Sequence, residues 1–338
     1  MSSQPLRNEV LVGDVRQLLG RVPDGSVDSI ITSPPYFGLR DYGHADQLGL
    51  ERSVHDWVND LRDVCRDLAR VLKPTGGLWL NVGDGYSAHT REGVDRKGLL
   101  LGPQRLAIAL SDDGWLIRNQ VVWAKSNAMP NSVSDRLTNR HELLFFLVRS
   151  PRYYFHLDAI RVPRRGRQAP PRVPKSPEYP PKGTAPLSVD RNAGLARLKS
   201  IGLSGHPLGA NPTDVWECAT ANYRDAHFAT FPERLIIPAL LAACPERLCV
   251  KCGQPWRPAN RRLYGRLLAV GELRPDCRCY ADWRPGVVLD PFMGSGTVAL
   301  VAEQHRRDWL GIELNPAYAA LTNKRLADWR AQQGKDTA

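Results

Sequence analysis

The chain has 338 residues, 42% of them apolar and 24% charged, which leaves room for a buried core and excludes wholesale disorder. No run of 18 apolar residues occurs and the start, MSSQPLRNEV, has no apolar stretch behind a basic one. The sequence therefore predicts no membrane span or signal peptide, and a soluble cytoplasmic protein of one large domain or two smaller ones. Its net charge of +11, from 46 basic and 35 acidic residues, makes a polyanion the first partner to consider.

In chain order, Glu9 to Val12 and Val27 to Thr32 read as strands. From Val54 to Leu72 apolar residues recur at steps of three and four, including Trp57, Leu61, Val64 and Leu68, and predict an amphipathic helix. A turn over Lys73 to Gly77 then leads into a strand over Leu78 to Val82. Residues 120–124 and 143–149 predict two more strands, and Val287 to Leu289 and Trp309 to Ile312 complete the set. Strands separated by helical periodicity imply an α/β protein with a mainly parallel, twisted sheet covered on both faces. The middle differs. Residues 161–200 carry net +8, and eight prolines fall between Pro163 and Pro186, which rules out a central strand or long helix and predicts a loop-rich insertion.

The strand from Val287 runs into Asp290-Pro291-Phe292-Met293-Gly294-Ser295-Gly296-Thr297, and a helix follows over Val298 to Gln304. Gly294 and Gly296 let the backbone approach a ligand at a helix N-terminus. Glu313, 19 residues after Gly294, stands where an acidic side chain grips ribose hydroxyls. Ala299 replaces the third glycine of a dinucleotide fingerprint and no phosphate-binding lysine follows. A nucleoside ligand without pyrophosphate fits this turn better than NAD or ATP. The other strand end, Thr32-Ser33-Pro34-Pro35-Tyr36, holds the Ser33 hydroxyl and the Pro34 carbonyl rigidly, because each proline fixes φ and forces the preceding residue to be extended. Two acceptors beside an aromatic ring suit a planar heterocycle with an exocyclic amine.

Taken together, the Thr32–Tyr36 and Asp290–Thr297 segments resemble those of the amino-group DNA methyltransferases that use S-adenosylmethionine. Their order, catalytic motif first, resembles the circularly permuted β group. Leu11-Val12-Gly13-Asp14 is similar to the strand whose acidic residue reaches the cofactor's adenosine. Trp123-Ala124-Lys125-Ser126-Asn127 through Arg140-His141-Glu142 to Tyr154-Phe155 resembles later sheet strands, and His227-Phe228-Ala229-Thr230-Phe231-Pro232 the segment beside the methionine moiety. The resemblance implies a Rossmann-like methyltransferase fold in which Ser33, Pro34, Pro35 and Tyr36 are catalytic. It also implies that Asp14, Thr32, Phe231, Asp290, Phe292, Gly294, Ser295, Gly296, Thr297, Glu313 and Asn315 bind S-adenosylmethionine. Serine at the first catalytic position favours cytosine N4, with adenine N6 as the alternative. The substrate expected is a base flipped out of double-stranded DNA, with RNA as a further possibility and a restriction endonuclease as a possible companion.

Of seven cysteines, Cys249-x-x-Cys252 and Cys277-x-Cys279 form two close pairs 24 residues apart, the pattern of a structural four-cysteine zinc site. Cys65, Cys218 and Cys244 read as core or structural thiols, and His44, His55 and His206 as surface residues. The expected organisation is a catalytic part over 1–155, a basic target-recognition insertion over 156–226, cofactor-binding segments over 227–243 and 285–330, and a zinc knuckle over 244–284. From another functional class, a non-catalytic zinc-knuckle DNA-binding protein would retain DNA without binding S-adenosylmethionine.

Overall fold

The computed structural model describes residues 6–163, 206, 208–221, 231–263 and 266–336. Its elements are β1 (Glu9–Val12), α1 (Val15–Leu18), β2 (Val27–Thr32), α2 (Val54–Val71), β3 (Leu72–Val82), α3 (Gly102–Asp112), β4 (Leu116–Lys125), β5 (His141–Val148), β6 (Val215–Cys218), α4 (Glu233–Ala243), β7 (Leu248–Cys249), β8 (Arg257–Leu263), β9 (Arg266–Arg274), β10 (Trp283–Arg284), β11 (Val287–Asp290), α5 (Thr297–Gln304), β12 (Asp308–Glu313) and α6 (Pro316–Asp336).

The chain forms two compact units. The first comprises the chain up to residue 156 with 213–256 and 275–338; the second comprises 157–212 and 257–274. In the second, β8 and β9 form an antiparallel hairpin, and Arg161 donates to Asp158 and to Asn211 (2.5 and 2.6 Å) beside a Val162–Ala210 bridge. The basic, proline-rich stretch from 164 to 205 lies outside the described residues. No helix among the described residues is long and apolar enough to cross a membrane.

An eight-stranded sheet ordered β1-β12-β11-β2-β3-β5-β4-β6 forms the first unit. β1, β12, β11, β2 and β3 are parallel, β5 runs against both neighbours, and β6 lies parallel to β4. Alternate side chains serve opposite faces. Ile30, Leu78 and Leu289 pack toward α1, α2 and α3, whereas Ile31, Trp79 and Val288 pack toward α4, α5 and α6. The two helix layers thus bury a sheet whose central strands are apolar on both sides, as parallel strands must be.

Local chemistry explains the elements that matter for the site. Ser53 caps α2, accepting from the Asp56 amide (3.2 Å) while its hydroxyl donates to the Asp56 carboxylate (2.7 Å). The predicted turn over 73–77 is instead a bulge within β3: pairing to β2 jumps from Val27–Leu72 to Ser29–Gly77. Lys73 pairs there with the buried Asp28 carboxylate, and a Cβ on Gly76 would lie 2.8 Å from the Asp28 carbonyl. The glycine thus permits the strand to close up again.

β2 connects through α2 to β3 on one side of it, and β11 connects through α5 to β12 on the other side, with α2 and α5 on opposite faces. The crevice beyond the carboxyl ends of β2 and β11 is therefore the topological switch point of the sheet, the place where open α/β sheets bind ligands.

Candidate functional site

A cavity of about 300 Å³ opens at that switch point, large enough for a nucleoside-sized ligand. Twelve of the fifteen predicted catalytic and cofactor residues line it: Ser33, Pro34, Pro35 and Tyr36 after β2, Asp14 after β1, Phe292, Gly294, Ser295 and Thr297 after β11, Glu313 and Asn315 after β12, and Phe231 before α4. Thr32, Asp290 and Gly296 are buried and are not part of its lining. Residues 227–230 of the predicted methionine-side segment lie outside the described residues.

The glycine turn is held from both ends. Gly294 and Gly296 have positive φ (54° and 74°), the left-handed region that side-chain-bearing residues rarely enter. One Glu313 carboxylate oxygen accepts the Gly294 amide (2.7 Å), and the other accepts the Asn315 amide (2.8 Å). The Thr322 hydroxyl donates to the Gly294 carbonyl (2.9 Å). Glu313 thus fixes the turn's shape as well as facing the cavity, and burial raises its carboxyl above the usual range. Two buried oxygens here, Ser295 Oγ and Asp290 Oδ2, have no hydrogen-bond partner in the structure. An orphaned buried polar atom is costly unless something satisfies it; Ser295 lines the cavity, so a bound molecule with a polar group can satisfy its hydroxyl, whereas Asp290 is not part of the lining. Burial pushes the Asp290 carboxyl up to about 7. Asp14 caps α1 and accepts from the Arg16 amide and guanidinium; burial opposes ionisation, but these bonds and the Arg16 charge hold its carboxyl below the usual range.

On the other wall, the Pro35 carbonyl accepts the Trp57 indole N–H (2.9 Å), which ties the diproline corner to α2. The Tyr36 hydroxyl donates to the Glu142 carboxylate (2.7 Å) and lies 3.1 Å from Ser33 Oγ. Its one proton goes to the charged, closer acceptor, so Ser33 is the donor to Tyr36 and its remaining lone pairs are free to accept. Burial, and then the Glu142 charge, push the Tyr36 hydroxyl well above the ordinary phenol range. Glu142 forms an ion pair with Lys125, whose ammonium lies over the Trp123 ring, 5.0 Å from its centroid.

Asn81, Trp123, Lys125 and Glu142 also line this cavity and were not among the predicted site residues. The signal for Glu142 was present as the Arg140-His141-Glu142 segment, but the antiparallel register Val82–Leu143 is what brings it opposite the end of β2.

A second cluster lies away from the cavity. The sulfurs of Cys249, Cys252, Cys277 and Cys279 are within 4.8 Å of one another, and none of the four forms a disulfide. Tetrahedral zinc with Zn–S bonds of about 2.3 Å places its sulfurs roughly 3.8 Å apart, so the four need only small side-chain rotations. Gly253 (φ 70°) turns the backbone after the first pair and donates to the Cys249 carbonyl (2.9 Å), and β7 pairs with β10 to close the loop at Cys249–Trp283. The Cys252 amide draws the Cys249 thiol down to about 7. Of the remaining thiols, Cys65 and Cys244 are buried and Cys218 is half-buried. His44 and His55 are exposed, whereas His206 is only partly so and lies 3.8 Å from Asp158.

Comparison with known proteins places the chain in a family. The DNA methylase family model that groups N6 and N4 enzymes matches residues 27–324. The type II methyltransferase M.Cfr9I of Citrobacter freundii is 35% identical over 96% of this chain and 87% of its own length. Among solved structures, the PvuII DNA methyltransferase, described as cytosine-N4-specific, superposes with a TM-score of 0.57 at 17% identity, covering 93% of this chain and 84% of that one. A DNA modification methylase homologue of Thermus thermophilus, solved in complex with S-adenosyl-L-methionine, gives a TM-score of 0.50 at 20% identity, covering 95% and 93%.

Proposed function

Because the chain belongs to the DNA methylase family that groups N6 and N4 enzymes, we propose that it methylates the exocyclic N4 amine of a cytosine flipped out of double-stranded DNA, using S-adenosylmethionine. The observation that carries this reading is that the Ser33-Pro34 corner and the Gly294–Glu313 clamp open into one cavity. The cytosine assignment is supported by serine at position 33 and by the cytosine-N4 specificity stated for the PvuII enzyme.

When bound, S-adenosylmethionine supplies an electrophilic methyl group on a sulfonium. The chain's residues position everything else. Glu313 and the Gly294 turn hold the nucleoside end, and Ser295 offers its unsatisfied hydroxyl to the ligand's polar groups. An exocyclic amine conjugated with its ring is a weak nucleophile. Ser33 Oγ and the Pro34 carbonyl accept its N–H hydrogens and favour a tetrahedral nitrogen with an available lone pair. The Tyr36 ring gives the flipped base an apolar face in place of lost stacking, worth about 1–3 kcal/mol per base.

Several finer features belong to the same reading. The cofactor strand β11 follows the catalytic strand β2 in the chain, which we read as the permuted order. Of the basic segment expected over 156–226, the part up to 212 is the target-recognition insertion, since β6 joins the sheet; the parts over 1–155, 227–243 and 285–330 make the core with β6, and 244–284 is a knuckle holding structural zinc through Cys249, Cys252, Cys277 and Cys279. A cognate restriction endonuclease is the expected companion, as for type II methyltransferases such as the Citrobacter freundii relative.

The test is incubation with isotopically labelled S-adenosylmethionine and DNA, followed by nucleoside digestion and mass analysis. N4-methylcytosine is the expected product. N6-methyladenine alone would replace the base assignment, and DNA retention with no methylated nucleoside would leave a non-catalytic binding protein.

A further inference from the structure

Glu142 has no part in holding the cofactor or the amine, yet it is the charged end of a hydrogen-bonded chain that begins at the amine's acceptor. We infer that Ser33, Tyr36 and Glu142 form a proton relay that removes the proton released when the amine is methylated. This rests on the amine-methylation reading above.

In the transfer, the amine nitrogen uses its lone pair for the new N–C bond, the C–S pair remains on sulfur, and the nitrogen becomes cationic. It must then lose one N–H proton. Ser33 Oγ accepts that proton as its own passes to Tyr36 Oη, 3.1 Å away, and the Tyr36 proton passes to Glu142 Oε2, 2.7 Å away. Glu142 ends neutral and the base ends as a neutral methylamine, so no charge remains on the nucleobase.

Three features favour a relay over a merely structural network. The donor order is fixed, since the Tyr36 proton is claimed by the carboxylate, and Asn81, at 3.2 Å, is the weaker competitor. Asn81 is itself anchored by donating to the Leu143 carbonyl (3.2 Å), so it stays an acceptor and does not turn to donate into the chain. The far end also reaches water: Glu142 and Lys125 side chains keep 14% and 22% of their exposure, whereas Asn81 is buried. A proton delivered to Glu142 can therefore pass on to solvent.

Glu142→Gln retains a hydrogen-bond acceptor for Tyr36 but cannot take up the proton. In the full-length enzyme we expect its single-turnover methylation rate to fall by about 100-fold, the lower end of general acid–base effects. Affinities for DNA and for S-adenosylmethionine, measured separately, should stay within about twofold. Glu142→Asp, which keeps a carboxylate at the end of the chain, should recover much of the rate that Glu142→Gln loses. Tyr36→Phe, which interrupts the chain without touching the carboxylate, should give a loss that does not add to that of Glu142→Gln. A Glu142→Gln enzyme with the wild-type rate, or a Glu142→Asp enzyme as slow as Glu142→Gln, overturns the relay while leaving amine methylation standing. A wild-type enzyme that methylates no exocyclic amine removes both.

Discussion

Thr32 donates its hydroxyl proton to Asp290 at 2.7 Å, joining residues 258 positions apart at the seam where β2 meets β11. Thr32 ends the strand that presents the Ser33 corner and Asp290 ends the strand that presents the glycine turn, so this bond sets the spacing of the two halves of the cavity. The same Asp290 oxygen accepts the Phe292 amide (3.1 Å). Asp290 is fully buried, and burial, with a contribution from the Glu313 charge, raises its carboxyl from 3.8 to about 7. Across that interval the unfolded chain ionises first and binds fewer protons than the folded one, so Asp290 lowers stability as pH rises from about 4 to about 7. Asp290→Asn keeps an acceptor for Thr32 and removes the charge. Melting curves from pH 4 to 8 should therefore show the variant gaining on the wild type with increasing pH, by up to a few kcal/mol. A constant difference would mean that Asp290 does not titrate in this window.

Gly296→Ala tests the turn itself. Gly296 has a φ of 74°, and a Cβ there would be driven into Thr322, whose hydroxyl holds the Gly294 carbonyl. Left-handed strain costs about 1–2 kcal/mol and the displaced threonine adds a lost hydrogen bond of about 1 kcal/mol. Differential scanning calorimetry should show a lowered melting temperature, and S-adenosylmethionine affinity should fall because the Gly294 amide and carbonyl shift with it.

For Glu313, the two hydrogen bonds to the Gly294 and Asn315 amides make alanine a compound change. It removes the proposed ligand contact and unlatches the turn. Hydrogen bonds to charged groups are worth about 1.5–3 kcal/mol, so Glu313→Ala should weaken S-adenosylmethionine binding by at least roughly tenfold in calorimetric titration. Glu313→Gln, which keeps one good acceptor, should fall between. Equal affinity in both would remove the ribose assignment.

Ser33→Ala should separate binding from chemistry. With the methyl side chain the corner keeps its diproline backbone and its Trp57 anchor on the Pro35 carbonyl, so cofactor affinity should be unchanged. Single-turnover rate should drop by about two orders of magnitude, because an acceptor made in the transition state is lost. A fall in cofactor affinity alone would place Ser33 on the other wall.

The sheet was legible wherever a segment's own pattern sufficed. Val287–Asp290 is short, mostly apolar and followed by a breaker, Val27–Thr32 carries Val27, Ile30 and Ile31 just before a diproline, and α2 carries an uninterrupted apolar stripe that ends up wholly inside. The cavity was legible because its residues cluster at the ends of those strands. What could not be read locally is what depends on partners. β6 is four residues whose strand character comes from lying beside β4, and α4 contains Pro238, which argues against a helix until packing decides otherwise. The β8–β9 hairpin is built from arginine-rich sequence that suggests solvent contact more than pairing. Glu142 entered the site only through a cross-strand register, and registers are set by the whole sheet rather than by any one strand.

The four-cysteine cluster gives the most direct measurement. Cys249 sits in β7, paired to Trp283, and Arg247 stacks over both Trp256 and Trp283 (5.6 and 4.6 Å to the ring centroids), so the base of this loop is held by ring packing whether or not a metal is bound. Elemental analysis of the purified protein should find one zinc per chain. Cys252 is exposed, so Cys252→Ser disturbs little packing and reports mainly on the metal. It should abolish stoichiometric zinc and lower the melting temperature, and a strong chelator should reproduce that shift in the wild type but not in the variant. Structural zinc sites contribute about 10–16 kcal/mol in isolated zinc-finger peptides. Here the smaller share expected is that of closing one loop on an already folded sheet. Metal-free wild-type protein with an unchanged melting temperature in chelator would reduce the cluster to four neighbouring thiols.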